Sequence, residues 1–570
     1  MNNAQIAAVF DEMADILEFQ GANPFRVRAY RNAARTIGDL GEPLEKLVNE
    51  ARALTEIAGI GKDLAEKIGS LLATGELKQW RELREQVPAG VLALLRVPGM
   101  GPKKAAALHR ELGIQNLDML RAACEQQKVR ELKGFGAKTE EQILKGLDFA
   151  ASAGVRFMWA QADAIAQALR THLLACKSIE KLELAGSYRR GRETVGDLDI
   201  LVTSSDHTEV MDRFAAFDSV DDILARGDTK MSVRLLNGLQ VDLRVVPGES
   251  FGAALQYFTG SKEHNVILRG RAKAAGLKIN EWGVFRGDER VGGATEEEVY
   301  ASLGLPWIPP ELREARREFQ WADEGKLPEL ITVDDLRGDL HMHTTATDGK
   351  ATLEEMVAAA QANGLKYIAI TDHSKRVTMA GGLDGPRLMK QWEEIDRLNE
   401  RLSGFTVLKG VEVDILERGG LDLDDDVLSH ADWVVASLHY GQSQPREQIT
   451  RRIVEALENP YVCAIGHPTG RLINARDRYD VDLEAVFAAA KKHNKCLELN
   501  CAPQRLDLDD VACGTARDYS IPIVISTDAH SIESLGNLRY GVLQARRAGL
   551  TKADVANTRT WPQLKKLLGR

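Results

Sequence analysis

Asp197 and Asp199 stand two residues apart at the head of an apolar, β-branched run, Leu198 to Thr203, that reads as a strand. Alternate strand residues face the same side, so the two carboxylates project together. A second strand candidate, Leu239 to Val246, carries Asp242 between apolar neighbours. Three carboxylates on adjacent strands can hold two divalent cations, which activate an attacking oxygen and stabilise the leaving one in phosphoryl transfer. Just upstream, Gly186 and Ser187 offer close backbone approach and a hydroxyl, and Arg190 offers a guanidinium suited to phosphate. An Asp-x-Asp pair alone is usually a solvated turn. Preceded by Gly-Ser and followed by a third strand carboxylate, it reads as a nucleotidyl-transfer site.

A second chemistry is spelled in histidine. Eight of the twelve histidines lie after residue 330, most of them ending an apolar run. Asp339-Leu340-His341-Met342-His343 opens the series, with Asp348 five residues on. Tyr367 to Thr371 ends in Asp372-His373, Val407 to Val413 contains Glu412, and Val434 to Leu438 ends in His439. Cys463 to Gly466 ends in His467, Cys496 to Asn500 is a sixth run, and Ile523 to Thr527 ends in Asp528-Ala529-His530. Seven strand-like runs alternating with helical stretches such as Leu353 to Ala362 predict a β/α barrel, whose chemistry sits at the C-terminal ends of the strands. His341 and His343 share a strand face. Imidazoles mixed with carboxylates suit Zn, Mn or Fe better than Ca. His172, His430 and His493 fall outside this pattern and read as structural.

Three copies of a smaller device lie near the N-terminus. Ile57 to Lys62, Val97 to Lys104 and Leu132 to Lys138 each contain Gly-apolar-Gly (Gly59 and Gly61, Gly99 and Gly101, Gly134 and Gly136), followed by a lysine and a helical pattern. Such a turn bares backbone N–H groups at a helix start and binds phosphate without reading sequence. One copy would be punctuation; three make a DNA-backbone grip.

These motifs need several domains to carry them, and 570 residues suggest roughly three or four. Residues 1–85 are helical in pattern, with an apolar face from Ile6 to Leu17 and a break at Pro24-Phe25-Arg26, and residues 86–150 hold the other two Gly-apolar-Gly turns. Residues 151–255 alternate helix and strand around the Asp triad, and 256–310 return to helix and short strand. Pro306, Pro309-Pro310 and the charged run Glu311 to Glu329 predict a linker over 311–336, leaving 337–570 for the barrel. The fold class is thus multidomain, α+β and α/β. No apolar run is long enough to span a bilayer, and six cysteines without a CxxC pair form no disulfide-like framework; the expected compartment is the cytoplasm. The formal net charge is −10, and none of residues 1–150, 151–330 or 331–570 is basic overall. DNA contact must therefore be local, made by motifs and not by bulk charge.

The run Gly186 to Asp199 resembles the palm signature of family X DNA polymerases, the DNA polymerase beta relatives, and Tyr257-Phe258-Thr259-Gly260-Ser261 with Asn265 resembles that family's nucleotide-selecting segment. The resemblance implies that Asp197, Asp199 and Asp242 bind two Mg or Mn ions. It implies that Gly186, Ser187, Arg190 and Gly196 hold the triphosphate, while Tyr257, Phe258, Gly260 and Asn265 meet the sugar and base edge of a dNTP. The glycine turns resemble helix-hairpin-helix motifs, and the first, with residues 1–85, resembles the family's small lyase domain. Lys67 falls where that family carries a Schiff-base lysine, and Arg26 and Tyr30 match its phosphate-binding positions, although Asp63 stands where a close relative has a basic residue.

The C-terminal domain resembles the polymerase and histidinol phosphatase (PHP) phosphoesterases. All nine ligand positions of that family are filled, by His341, His343, Asp348, His373, Glu412, His439, His467, Asp528 and His530. This implies up to three Mn, Zn or Fe ions in a distorted seven-stranded barrel that hydrolyses phosphodiesters, with Arg376 and Arg471 near enough to meet substrate phosphate. The expected protein is a monomeric repair polymerase acting on gapped or primed DNA, with 3′→5′ exonuclease and abasic-site endonuclease activity. Two alternatives stay open: a barrel that acts as a small-molecule phosphatase, and a non-catalytic DNA-binding scaffold, which should have lost at least one acidic ligand.

Overall fold

The computed structural model describes residues 3–38, 44, 48, 53–57, 59–74, 77–87, 94, 102–132, 134–137, 139–140, 143–144, 147 and 156–569. The chain forms two compact units, Met1–Arg156 and Phe157–Arg570.

The first unit is helical. Helix Asn3–Phe19 packs on helix Pro24–Gly38 because Ile6, Phe10, Met13 and Leu17, spaced three and four apart, make one apolar face. Phe10 meets Tyr30 edge-on at 5.7 Å between ring centroids. Proline starts the second helix, where its missing N–H costs nothing, and Asn23 Oδ1 accepts from the Phe25 N–H at 2.9 Å. Two of the three glycine turns are described, and they share a hydrogen-bond pattern. Ile60 N–H donates to Ile57 and Ala65 N–H to Gly61, as Phe135 N–H donates to Leu132 and Glu140 N–H to Gly136. Gly59 and Gly134 both take positive φ, +85° and +91°, which a side chain would disfavour. Gly99 and Gly101 lie outside the described residues.

The second unit begins with a five-stranded sheet in the order Ile179–Leu184, Asp197–Ser204, Gln240–Val245, Lys230–Leu235, Val220–Arg226. Only Asp197–Ser204 and Gln240–Val245 run parallel. Leu198, Ile200 and Val202 turn one face into a core shared with helices Trp159–Leu173 and His207–Ala215. Leu201, one step out of phase, packs instead beneath Phe251 and Leu255. Period-two alternation thus sends the Asp-x-Asp pair to the face away from the main core.

Helices Phe251–Thr259 and Lys262–Ala274 and a three-stranded antiparallel sheet follow. The segment 311–336, expected as a linker, is folded onto them. Leu312, Phe319, Ala322 and Leu330 join the core of Leu268, Val299 and Tyr300, and Arg313, Glu314 and Glu318 are buried. The charged run is not a free linker because its charges find partners: Arg313 pairs with Glu296 at 2.6 Å and Glu318 with His264 at 2.9 Å.

Seven parallel strands then lie in chain order, Gly338–Asp339, Tyr367–Ile370, Thr406–Asp414, Trp433–Ser437, Ala464–Ile465, Cys496–Asn500 and Ile523–Ser526. A parallel bridge between Met342 and Ala529, with the His343 N–H donating to the Ala529 carbonyl at 2.8 Å, joins the first strand's extension to the last and closes the barrel. Among the described residues no helix is long and apolar enough to cross a membrane.

Candidate metal centres

In the palm sheet Asp199 lies directly opposite Asp242 in the parallel register, and Asp197 precedes Asp199 on the same face. Gln240 Nε2 donates to Asp242 at 3.0 Å, and Lys230 Nζ lies 3.7 Å from it. Burial, then the charges of Asp197 and Asp242, push the Asp199 carboxyl up to about 7, against the pull of Arg244 and Arg190. Like charges gathered on one partly buried face favour a proton or a cation, which is the chemistry divalent ions would satisfy here.

The turn Gly186–Arg189 sits beside Asp199. Gly186 has φ +62°, and a Cβ on it would overlap Asp199 Oδ2. The buried Ser187 Oγ has no hydrogen-bond partner, so it is an orphan that a phosphate oxygen would satisfy. Arg190 is less free than its sequence position suggests: Nε donates to Glu314 at 3.0 Å and Nη1 to the Thr259 carbonyl. Gly196 is exposed immediately before Asp197. Tyr257 and Phe258 meet edge-on at 5.2 Å, Arg244 stacks over Phe258 at 4.4 Å, and Gly260 caps their helix with φ +69°. Asn265 is buried, donating to the Tyr257 carbonyl and accepting from Gln256, both at 2.7 Å.

In the helical unit, Lys67 is largely covered, ion-paired with Asp63 and 5.9 Å from the Tyr30 ring centroid. Tyr30 is itself buried, with its hydroxyl donating to Gln79 Oε1 at 3.2 Å, and Arg26 is exposed.

The barrel gathers its nine candidate ligands at the C-terminal ends of the strands. Three groups have ligand atoms all within 4.8 Å: His343, Asp348, His373 and His530; His341, His343 and Asp528; His373, Glu412 and His439. His343 and His373 each belong to two groups, so the three form one continuous centre. His467 joins through Nε2, 3.0 Å from Glu412 Oε1. Among the described residues such groups occur only here; the palm carboxylates stand farther apart. His341 Nε2 and His343 Nδ1 are buried without hydrogen-bond partners, as donor atoms aimed at cations would be.

The charges show the same bias. Burial opposes charge on His373, but Glu412 and Asp348 outweigh it and push that imidazole up to about 10. His439 is pushed up to about 9, again against burial, by Glu412 and Asp414. His343 is driven down to about 4 by burial and by His373. Burial would raise Glu412, but His439, His373 and His341 hold it well below the usual carboxylate range.

Behind the ligands stand residues that the strand-end pattern did not single out. Glu498 accepts from His341 Nδ1 at 2.7 Å and from the His467 N–H at 2.6 Å. Asp414 Oδ1 lies 3.0 Å from His439 Nδ1, and Asn500 Nδ2 donates to Asp528 at 3.0 Å. Partners of this kind fix the ring orientation of ligating histidines. Their signal was a polar residue inside an apolar strand, Glu498 between Leu497 and Leu499. Of the two arginines expected near substrate, Arg471 is committed to Glu193 at 2.7 Å and Arg376 to Glu417 and the Tyr440 ring. Arg505 lies nearer the centre, 3.8 Å from Asp528 Oδ2.

Comparisons with known proteins agree with this layout. Family models match for a helix-hairpin-helix domain over residues 1–77 and a SAM-like helix-hairpin-helix tandem over 91–148. Others match for the DNA polymerase beta palm over 159–238, the DNA polymerase beta thumb over 254–314 and the PHP domain over 339–502. The DNA polymerase/3′-5′ exonuclease PolX of Bacillus subtilis (strain 168) is 40% identical over 574 residues, covering 100% of both chains. A probable phosphatase of Thermoanaerobacter sp. (strain X514) is 31% identical over 231 residues, covering 39% of this chain and 89% of its own. One from Acetivibrio thermocellus is 36% identical over 166 residues, covering 28% of this chain and 64% of its own. A relative this similar runs the whole length of the chain, with palm, thumb and PHP domains in the same molecule, and the chain therefore belongs to the bacterial family X DNA polymerases that carry a C-terminal PHP domain.

Proposed function

We propose that the chain is a repair polymerase that fills short gaps in DNA by template-directed nucleotidyl transfer and trims 3′ ends by 3′→5′ exonucleolysis in its barrel. The observation that carries the second activity is the single continuous cluster of eight candidate ligands, joined by His467 as a ninth, in a chain whose full-length relative is named for both activities. Asp197, Asp199 and Asp242 would hold two Mg or Mn ions; the barrel ligands would hold up to three of Mn, Zn or Fe. When bound, these ions supply Lewis acidity at phosphorus and lower the cost of deprotonating the attacking oxygen. The protein's own residues do the positioning. Gly186 lets a triphosphate approach the backbone, Ser187 Oγ and the Arg190 guanidinium take its oxygens, and Tyr257, Phe258, Gly260 and Asn265 bound the sugar. In the barrel, Glu498 and Asp414 turn the Nε2 atoms of His341 and His439 inward, and Arg505 neutralises phosphate charge.

The test is a time course on a 5′-labelled primer in a one-nucleotide gap with Mn²⁺, with and without dNTPs. Extension with dNTPs and shortening without them is the expected result; either activity missing removes the corresponding half of the proposal. The small relatives named as probable phosphatases favour a second reading for the barrel, hydrolysis of phosphomonoesters. Comparing its rate on such an ester with that on a DNA 3′ end separates the two.

We assign domains at 1–85, 86–150, 151–255, 256–310 and 337–570, with 311–336 as the packed connection, in a cytoplasmic monomer. The helix-hairpin-helix turns at Gly59/Gly61, Gly99/Gly101 and Gly134/Gly136 grip DNA backbone, aided by Arg26 and Tyr30. Lys67 is proposed as the lyase nucleophile. Borohydride trapping on an incised abasic duplex tests it, and undiminished trapping in Lys67→Ala would refute it. Cleavage of an intact abasic duplex by the His341→Ala/His343→Ala protein at the wild-type rate would remove the endonuclease role from the barrel.

A further inference from the structure

The loop that carries Ser187 and Arg190 is held from behind by the barrel. Arg547, at the end of helix Leu538–Arg547, donates through Nη1 to the Arg190 carbonyl at 2.8 Å. Gln544, one turn earlier, donates to the Gly191 carbonyl at 2.9 Å. Gly191 has φ +65°, and a Cβ there would overlap the Leu543 side chain, so the loop lies flush against the helix. Arg547 also reaches the side chain of Arg190 indirectly: its Nη1 pairs with Glu314 Oε1 at 2.9 Å, the oxygen that accepts from Arg190 Nε at 3.0 Å. One buried guanidinium thus fixes both the backbone of Arg190 and the carboxylate that holds its side chain. Arg547 Nη2 pairs with Asp510 at 2.8 Å.

We propose that this barrel helix is a working part of the polymerase site, with Arg547 and Gln544 as positioning residues for the triphosphate loop. The inference rests on the reading of Ser187 and Arg190 as triphosphate-binding. Its physical core is a shared carboxylate. Arg190, Arg192 and Arg547 converge on Glu314, and Arg547 and Arg316 on Asp510. Arg190 thus shares its carboxylate with a guanidinium that is itself anchored on a second carboxylate. An arriving triphosphate must draw Arg190 away from Glu314, and a buried carboxylate left alone is costly. Arg547 stays behind to hold Glu314, so Arg190 is released at little cost. Without Arg547, Glu314 keeps Arg190 for itself and nucleotide binds weakly.

Other ion pairs join the same parts of the chain without touching the loop, notably the bidentate Arg317–Asp518 pair at 2.9 and 2.6 Å. They provide the control. The experiment is steady-state kinetics of the full-length chain on gapped DNA, reading kcat and KM for dNTP, with exonuclease on the same strand and Tm measured in parallel. For Arg547→Met and Gln544→Ala we expect KM for dNTP to rise about tenfold or more with kcat nearly unchanged. Exonuclease should stay near wild type, Arg547→Lys should recover part of the loss, and Arg317→Ala should leave KM alone. If Arg547→Met does not fold, Gln544→Ala decides. An unchanged KM in both loop variants would overturn the inference. So would an equal KM rise in Arg317→Ala, or a joint fall of kcat, exonuclease and Tm at constant KM. A wild-type chain that does not extend the primer would instead overturn the polymerase reading, and this inference with it.

Discussion

Gly186 and Asp199 are in contact at the head of the palm sheet: the glycine takes φ +62°, and any Cβ it carried would occupy the space of Asp199 Oδ2. The turn proposed to meet a triphosphate and the strand that holds a candidate metal ligand are therefore packed as one object. Gly186→Ala should fold, at a cost of about 1 kcal/mol for the left-handed backbone. Polymerase activity should fall by ~100-fold or more, since displacing a reacting group by about 1 Å already has that effect. Primer extension against exonuclease in the same preparation checks this; retained extension would mean that the carboxylate yields to the methyl group.

Asp199 also sets a pH dependence. Its carboxyl is pushed up to about 7, first by burial and then by Asp197 and Asp242. A carboxyl raised by folding holds its proton more tightly in the native state, so its contribution to stability falls as pH rises from about 4 to about 7. A divalent cation must displace that proton. Mn²⁺ affinity of the palm should therefore climb up to about tenfold per unit below pH 7 and level off above it. Titration from pH 5.5 to 8, taken as the difference between wild type and Asp199→Asn, reads this directly, and a flat profile would contradict it.

The placement of both candidate clusters was legible in the sequence for one reason: strand periodicity and strand ends bring such residues together without knowledge of the fold. Alternation was enough to put Asp197 and Asp199 on one face, and strand ends to gather the barrel histidines, while the ligand roles of both sets were implied by the family resemblance. What was not legible depended on partners far along the chain. Arg471 looked like a substrate arginine because it follows His467 by four residues, but its partner Glu193 is 278 positions away. The run Glu311 to Glu329 looked like a linker because its counter-charges, Glu296, His264, Arg190 and Arg547, lie in other elements. Glu498 was visible only as an anomaly, a carboxylate in an apolar strand.

Glu498 predicts its own phenotype. It holds His341 through Nδ1 and the His467 backbone N–H, so Glu498→Gln keeps the shape but weakens the orientation of one ligand and the basicity of its ring. Loss of such a partner typically costs about 10–100-fold in metal affinity or activity. Exonuclease should fall by that factor and recover with excess Mn²⁺, while primer extension is unchanged. Metal content after dialysis against a weak chelator is the independent readout.

Removing the barrel's metals should change how its stability responds to pH. In the metal-free protein, Glu412 is balanced by imidazolium: His373 is pushed up to about 10 and His439 up to about 9, each against burial. A histidine raised by folding contributes stability that is complete below its unfolded pKa of about 6.5 and is lost as pH rises through 9 to 10. Metal ligation requires neutral imidazole and releases those protons, so the loaded barrel has no such stability to lose over that range. Chelated protein should therefore show a Tm that falls between pH 7 and 9, and loaded protein a flatter one. At ~100-fold excess over Kd the bound ion adds about 2.7 kcal/mol, so the two curves should separate further with rising pH. Scanning calorimetry with and without EDTA decides it, and parallel curves would mean that the histidines and Glu412 do not exchange protons for metal.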